Sequence, residues 1–202
     1  MPEKNAELPQ MLVRGISLIS LREYVKSRLS DKKEVKEFFK RLPKADSIII
    51  QSAQKWKWYP FFMQRHLREE IANRFNPENP RAAVYDAGLF AATQETSTFL
   101  KAMLSFFSPG IVLKNSNVIW RKYYKSGKLR GTLTDDCRGI VELTGFSSDP
   151  IFCPMVQSWL VVSAKALKLK DAKVTETACI HNDDKVCRWT LAWDSDTPAA
   201  LP

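Results

Sequence analysis

The chain has 202 residues, 45% of them hydrophobic, with 31 basic against 22 acidic residues and a net charge of +9. That length and apolar content suffice for one domain with a substantial core, and four cysteines in a chain this long exclude a disulfide scaffold. No apolar run reaches the length of a membrane span, and the polar opening from Met1 to Gln10 lacks the apolar core of a secretion signal, so a cytoplasmic protein with reduced thiols is expected.

Residues 1–10 read as a flexible N-terminus. The pattern from Met11 to Ile19 predicts a strand, and two amphipathic helices follow near Leu21 to Leu29 and Lys33 to Leu42. Leu42-Pro43 ends the second, because proline disfavours helix in the residue before it. Pro60 opens a helix running to Phe75, with Phe61, Met63, Leu67 and Ile71 as its buried candidates. Arg81 to Phe107 reads as helical, with a break near Ala91 to Thr93. Asn117 to Tyr124 and Leu129 to Leu133 predict a hairpin turning at Ser126-Gly127, and Arg138 to Phe146 a third strand. Pro154 to Leu169 is the last long helix, and Val174 to Ile180 and Val186 to Trp193 close the sheet. Helices first, then antiparallel strands with one inserted helix, give an α+β fold: a mainly antiparallel sheet on several long helices. Residues 1–202 form one domain in this reading, with a flexible tail at 194–202.

Chemistry concentrates in the last third. Cys153, Glu176, Cys179 and Cys187 fall in the frame C-x22-E-x2-C-x7-C. Three thiolates and a carboxylate make a complete tetrahedral set for zinc, and a full set has no open position, so the metal would be structural. Ile180 to Val186, rich in Asn and Asp, suits a turn that brings Cys179 and Cys187 together. His181 in that turn is the alternative to Glu176 as fourth ligand. The plainer reading stays open beside it, since free cysteine often packs as a small core hydrophobe. Glu176 and Cys179, three apart, share a metal only if a bulge or the strand end turns one of them. Cys137 falls outside the motif and reads as a buried or idle thiol.

Nothing in the sequence matches a P-loop, a dinucleotide glycine fingerprint or a nucleophile elbow. Histidine occurs only at His66 and His181, so no catalytic constellation emerges and the expectation is a protein that is not an enzyme. Arg121, Lys122, Lys125, Lys128 and Arg130 interleave with Tyr123 and Tyr124, a pattern that suits nucleic-acid contact and equally suits a solvated hairpin. Trp56, Trp58 and Tyr59 precede Pro60 beside Lys55 and Lys57; burial is expected for Trp58 and exposure for Trp56. Phe90, Phe99, Met103, Phe106, Trp120, Phe146 and Trp159 lie in elements expected to converge between helices and sheet, either as plain core or as the lining of an apolar pocket.

The C-terminal segment resembles the 4-vinyl-reductase-type small-molecule-binding domain, related in fold to TRAPP small subunits and to heme-nitric-oxide-binding domains. It is most similar to the zinc-containing sensor domain of phenol-responsive activators, through Cys153, Glu176-Thr177-Ala178-Cys179 and Cys187-Arg188-Trp189-Thr190-Leu191. That motif covers roughly a quarter of the chain, and His181-Asn182-Asp183-Asp184 departs from the usual glycine turn. Arg14-Gly15, Trp58-Tyr59-Pro60 and Trp120 to Tyr124 through Gly127 resemble a stand-alone deltaproteobacterial family carrying this domain. The resemblance implies a TRAPP-like ligand-binding fold, structural zinc at Cys153, Glu176, Cys179 and Cys187, and an apolar pocket for a small hydrophobic or aromatic ligand. It further implies a bacterial sensory or signalling module acting through protein partners, as a homodimer. The alternatives are a basic nucleic-acid-associated regulator and an enzyme acting on a tetrapyrrole-like pigment. Heme fits poorly: Tyr124-Lys125-Ser126 echoes the propionate clamp of the related sensors, but Lys128 stands where arginine is needed.

Overall fold

The computed structural model describes residues 11–95 and 107–194. The predicted break near Ala91 to Thr93 does not occur within a helix that continues to Glu95, and Phe99, Met103, Phe106 and both expected flexible ends lie outside or at the limit of the described residues. The elements run β1 (Leu12–Arg14), α1 (Gly15–Arg28), α2 (Lys32–Arg41), α3 (Lys44–Gln51), β2 (Trp58–Pro60), α4 (Phe61–Phe75) and α5 (Pro80–Glu95). Then come α6 (Pro109–Lys114), α7 (Ser116–Tyr123), β3 (Lys128–Asp135), β4 (Arg138–Thr144), α8 (Cys153–Ala166), β5 (Lys173–Ala178), a 3-10 turn (Ile180–Asn182) and β6 (Cys187–Ala192).

The four-stranded sheet has the order β3-β4-β6-β5, and all its pairings are antiparallel. Alternation sets its inner face. Val141 lies opposite Trp189 and Leu143 opposite Cys187, and all four are buried. The α8 helix connects β4 to β5 and packs against both α5 and β5, while α6 and α7 pack on β3. A separate two-stranded ribbon, β1 with β2, ties the chain start to the entrance of α4. The α+β class and the later strands agree with the sequence pattern.

Two segments differ from it. Only Leu12–Arg14 of the expected first strand is extended, and Gly15 begins a helix. Leu18, Leu21 and Val25 recur at helical spacing and are fully buried. Gly15 is required at the junction, because a Cβ there would lie 2.1 Å from the Gln54 carbonyl oxygen. The second difference is Asn117 to Tyr124, a helix and not a strand. Ser116 and Trp120, one turn apart, both face inward; the Ser116 hydroxyl donates to the Leu129 carbonyl at 3.1 Å and the Trp120 indole to the Ser126 carbonyl at 2.9 Å. These tertiary bonds fix a helix where local alternation suggests extension. The short α6 rests directly on the sheet: a Cβ on Gly131 would come within 2.6 Å of the Leu113 carbonyl oxygen, and one on Gly139 within 2.7 Å of a Leu113 methyl.

Among the described residues, one ion pair is wholly interior. Arg68 of α4 meets Asp149, in the loop before α8, with side-chain exposures of 0% and 2%. Arg68 also donates to the Gln64 side-chain oxygen at 2.8 Å, and its guanidinium lies 5.1 Å from the Phe61 ring and 4.9 Å from the Phe152 ring. Trp120, Tyr124 and Phe146 complete that aromatic cluster. Removing one partner of a buried pair strands a charge, so Asp149→Ala should lower unfolding stability by about 3–5 kcal/mol in urea denaturation. Glu37→Ala, which breaks the exposed pair with Lys40, should be close to silent in the same measurement.

Candidate functional site

A cavity of about 100 Å³ lies between α7, the β3, β4 and β6 strands, and α8. Its walls are mainly apolar, with Trp120, Val141, Val156, Trp159, Leu160 and Leu191 among the lining residues. The sheet contributes because Val141 and Leu191 sit on its buried face, and α8 because Val156, Trp159, Leu160 and Ser163 follow helical spacing. Tyr123 and Trp159 meet edge to face with ring centroids 4.9 Å apart.

Polar groups collect where α1 and α7 approach. Ser17 and Tyr123 line the cavity. Ser20 donates to Oε1 of Glu95, the last residue of α5, at 2.8 Å. Glu95 Oε2 is sealed from solvent and has no hydrogen-bond partner. Burial pushes the Glu95 carboxyl up to about 7, against the pull of Ser20, Tyr123 and the Lys55 charge. Burial and the adjacent Glu95 likewise push the Tyr123 phenol up, and burial pushes Tyr124 up to about 12. The Tyr124 hydroxyl is paired with Gln64.

Of the aromatic candidates in the sequence, Trp120 and Trp159 line this cavity. Phe146 lies in the Arg68 aromatic cluster, and Phe90 packs on Tyr24 at 5.6 Å. Phe99, Met103 and Phe106 lie outside the described residues. Sequence reasoning missed Glu95. Its signal is the buried stripe Val84, Gly88 and Ala91 of α5, which Glu95 extends by one turn at three- and four-residue spacing.

The cysteines form a separate cluster. Cys153 opens α8, Cys179 follows β5 and Cys187 opens β6; all are buried, and their sulfurs lie within 4.8 Å of one another. Cys153 and Cys179 sulfurs are 3.7 Å apart. The turn is closed by Asp184, which accepts from the Cys179 backbone N–H at 2.8 Å, and by Asp183 in the left-handed region at φ 62°. Hydrogen bonding from Cys153 lowers the Cys187 thiol to about 6, and the same contact pushes Cys153 up. Glu176 is not part of the cluster. A register shift does follow it in β5, but its carboxylate pairs with Arg81, which also donates to the Pro150 carbonyl at 2.8 Å. His181 is exposed on the 3-10 turn. Cys137 is half-buried beside the β3–β4 turn.

The basic residues meet an aromatic surface. Arg14 donates to the carbonyls of Trp56 at 2.8 Å and Lys122 at 3.2 Å, and its guanidinium stacks 3.9 Å from the Trp58 ring. Lys125 lies 5.0 Å from the same ring, and Lys55 4.9 Å from that of Trp56. Trp58 is half-buried and Trp56 is 69% exposed. Arg121, Lys122, Lys125, Lys128 and Arg130 are all exposed. None of the five, nor Arg14, Lys55 or Lys57, forms an ion pair among the described residues.

No family model and no curated protein matches the sequence. Solved structures do match its fold. An H-NOX protein from S. oneidensis in the Fe(II)NO ligation state aligns with a TM-score of 0.68 at 16% identity, covering 90% of this chain and 99% of that one. The Fe(II) form of an S. oneidensis triple mutant gives 0.72 at 14%, covering 93% and 100%. The Fe(II) unliganded H-NOX protein from K. algicida gives 0.69 at 9%, covering 92% and 98%. At this identity the likeness establishes the fold, which is of the heme-nitric-oxide-binding type.

The expected zinc is corrected on two grounds. The structures that share the fold are described in iron ligation states, not with structural zinc. Within this chain, Glu176 of the anticipated set is committed to Arg81, so Cys153, Cys179 and Cys187 stand as a three-thiol group.

The raised Glu95 fixes a pH dependence. Because its folded value of about 7 exceeds the ordinary 4.5, the native state retains a proton that the unfolded chain loses as pH rises. Stability is therefore unaffected below the ordinary value, falls as pH climbs toward 7 and stays reduced above it. Comparing urea denaturation at pH 5 and pH 8, Glu95→Gln should abolish part of this loss, a difference of up to about 3 kcal/mol.

Proposed function

We propose that this chain is a sensory, small-molecule-binding module that uses its H-NOX-like fold to hold a small apolar ring in the cavity beneath α7. The supporting observation is the cavity itself, enclosed by Trp120, Trp159 and the aliphatic face of the sheet. Apolar voids of roughly 150 Å³ stay dry and take up benzene, so about 100 Å³ suits a ring of that size or smaller. This agrees with the apolar ligand implied by the resemblance to 4-vinyl-reductase-type domains.

Heme, the group this fold holds elsewhere, does not fit these residues. An axial ligand is a histidine, a thiolate or a tyrosinate, with methionine used alongside histidine. The chain has two histidines: His66 has its Nδ1 2.6 Å from the Asp46 carboxylate, and His181 sits on an exposed turn. Neither lines the cavity, and the three clustered cysteines do not line it either. Of the cavity tyrosines, Tyr124 has its hydroxyl bonded to Gln64, and burial beside Glu95 holds the Tyr123 phenol in its protonated form. A macrocycle also needs several times the volume present. The same mismatch of size disfavours a tetrapyrrole-like substrate.

The test uses the walls. Ala164 is buried and borders the cavity, so Ala164→Leu should fill it at little cost, where overpacking a filled core costs ~1–3 kcal/mol. Benzene or furan should raise the melting temperature of the native chain and leave that of the variant unchanged. Destabilisation of the variant together with no response of the native chain would reject the site.

A second reading is favoured by the way Arg14 joins the Trp56 loop to the Lys122 to Lys125 turn. Cations without acidic partners around an exposed indole suit single-stranded nucleic acid, whose bases stack on aromatics while phosphates meet the charges. Affinity of an oligonucleotide, read from Trp56 fluorescence, should then fall steeply between low and moderate salt. A salt-insensitive signal, with sedimentation showing a dimer, would assign this surface to a second copy of the chain.

A further inference from the structure

We propose that a groove between α1, α2 and α3 binds a small organic phosphate, an apolar body carrying two or three phosphate groups. The groove shares no lining residue with the cavity beneath α7, so it stands independently of the ring-binding site.

Three kinds of wall meet there. Lys32, Lys36 and Lys40 recur at every fourth residue of α2 and so share one face, and Lys26 of α1 lines the same groove. Val35 and Phe39, also four apart on α2, and Leu29 after α1 supply apolar surface; Phe39 and Leu29 are buried. The third wall is α3, with Ser47 and Gln51. The Gln51 side-chain amide donates to the Ser47 hydroxyl at 3.1 Å and to the Ser47 carbonyl at 3.2 Å, which holds it along that wall. No carboxylate lines the groove. The acids nearby are engaged: Glu23 with Arg22 and Lys26 at 2.9 and 3.0 Å, Glu37 with Lys40 at 2.6 Å, and Asp31 with the Lys33 backbone N–H at 2.8 Å. Lys32 and Lys36 enter no ion pair among the described residues. Like charges four apart on one helix face destabilise it, and an anion held between them removes that cost. A cleft lined by one sign of charge also concentrates counter-ions, and lysine meets phosphate as a point charge. Because the charges come from two helices around one volume, they suit a compact polyanion. The volume, about 610 Å³, lies within the range of small-molecule sites, and the apolar residues and the α3 side chains give a ligand body its contacts beyond charge.

Isothermal titration of the full chain with ATP, inorganic triphosphate and adenosine, without divalent cations, separates charge from body. ATP should bind about tenfold more tightly than triphosphate, through the apolar surface its purine covers, and adenosine more weakly than either. Lys36→Glu, at an exposed position, should weaken ATP about tenfold. Lys114→Glu changes the net charge equally at an exposed position of α6, outside the groove, and should alter ATP binding by less than about twofold. Val35→Ala should weaken ATP and leave triphosphate unchanged. Absence of ATP binding would overturn the site. Equal losses in Lys36→Glu and Lys114→Glu would overturn it in favour of attraction by net charge alone, and triphosphate binding as tight as ATP in favour of a bare lysine surface. Displacement of ATP by a short single-stranded oligonucleotide at equal phosphate concentration would instead assign these lysines to a nucleic-acid backbone.

Discussion

The Arg68 guanidinium fixes the arrangement on which the rest of the molecule depends. It is fully buried, and it holds Asp149 in the loop that leads into α8. Asp149 in turn accepts the Phe152 backbone N–H at 3.0 Å through its carbonyl, so the start of α8 is set by the same contact. Phe61 and Phe152 cover the cation with their ring faces, and Gln64 links it to Tyr124 at the end of α7. One charge thus orients α4, α7 and the entry to α8. The cysteine cluster begins at that entry, and the cavity lies between the two later helices. A buried ion pair is a poor source of net stability, but removing either partner would strand a charge in the interior.

A shared fold does not dictate the occupant, because recognition resides in side chains that line a site, not in the architecture. The sheet order and the helices over it are common ground with heme proteins. What this chain places around the cavity is two tryptophans, two tyrosines and aliphatic residues. Among the described residues, no histidine or cysteine lines it.

Much of the second half was legible from alternation and helical spacing, because β4 and β6 each have one buried face and α8 has a long apolar stripe. The first strand and α7 were not legible. Gly15 adopts its local structure through partners distant in sequence, Gln54 and Lys57, and α7 through the bond from Ser116 to Leu129, thirteen positions on. The convergence of Cys153, Cys179 and Cys187 could be read from spacing, whereas the loss of Glu176 to Arg81, ninety-five positions away, could not. The union of the Trp56 loop with the Lys122 turn was equally hidden, since Arg14 joins them from a third segment. Glu95 was overlooked because a glutamate at a helix end ordinarily reads as a solvated charge; only its place on the alanine-rich stripe of α5 marks it as inward.

The seat of α6 on the sheet has a consequence for how related sequences are free to diverge. At position 131 any side chain would strike the backbone of Leu113, so glycine is dictated there by the path of the chain, whatever residue occupies 113. At position 139 the obstacle is a Leu113 methyl, a group that substitution can remove. Positions 113 and 139 are therefore bound to drift as a pair, a smaller residue at one admitting a larger one at the other. Position 131 stays invariant for as long as α6 lies across β3, and becomes variable only in lineages where that helix has lifted away.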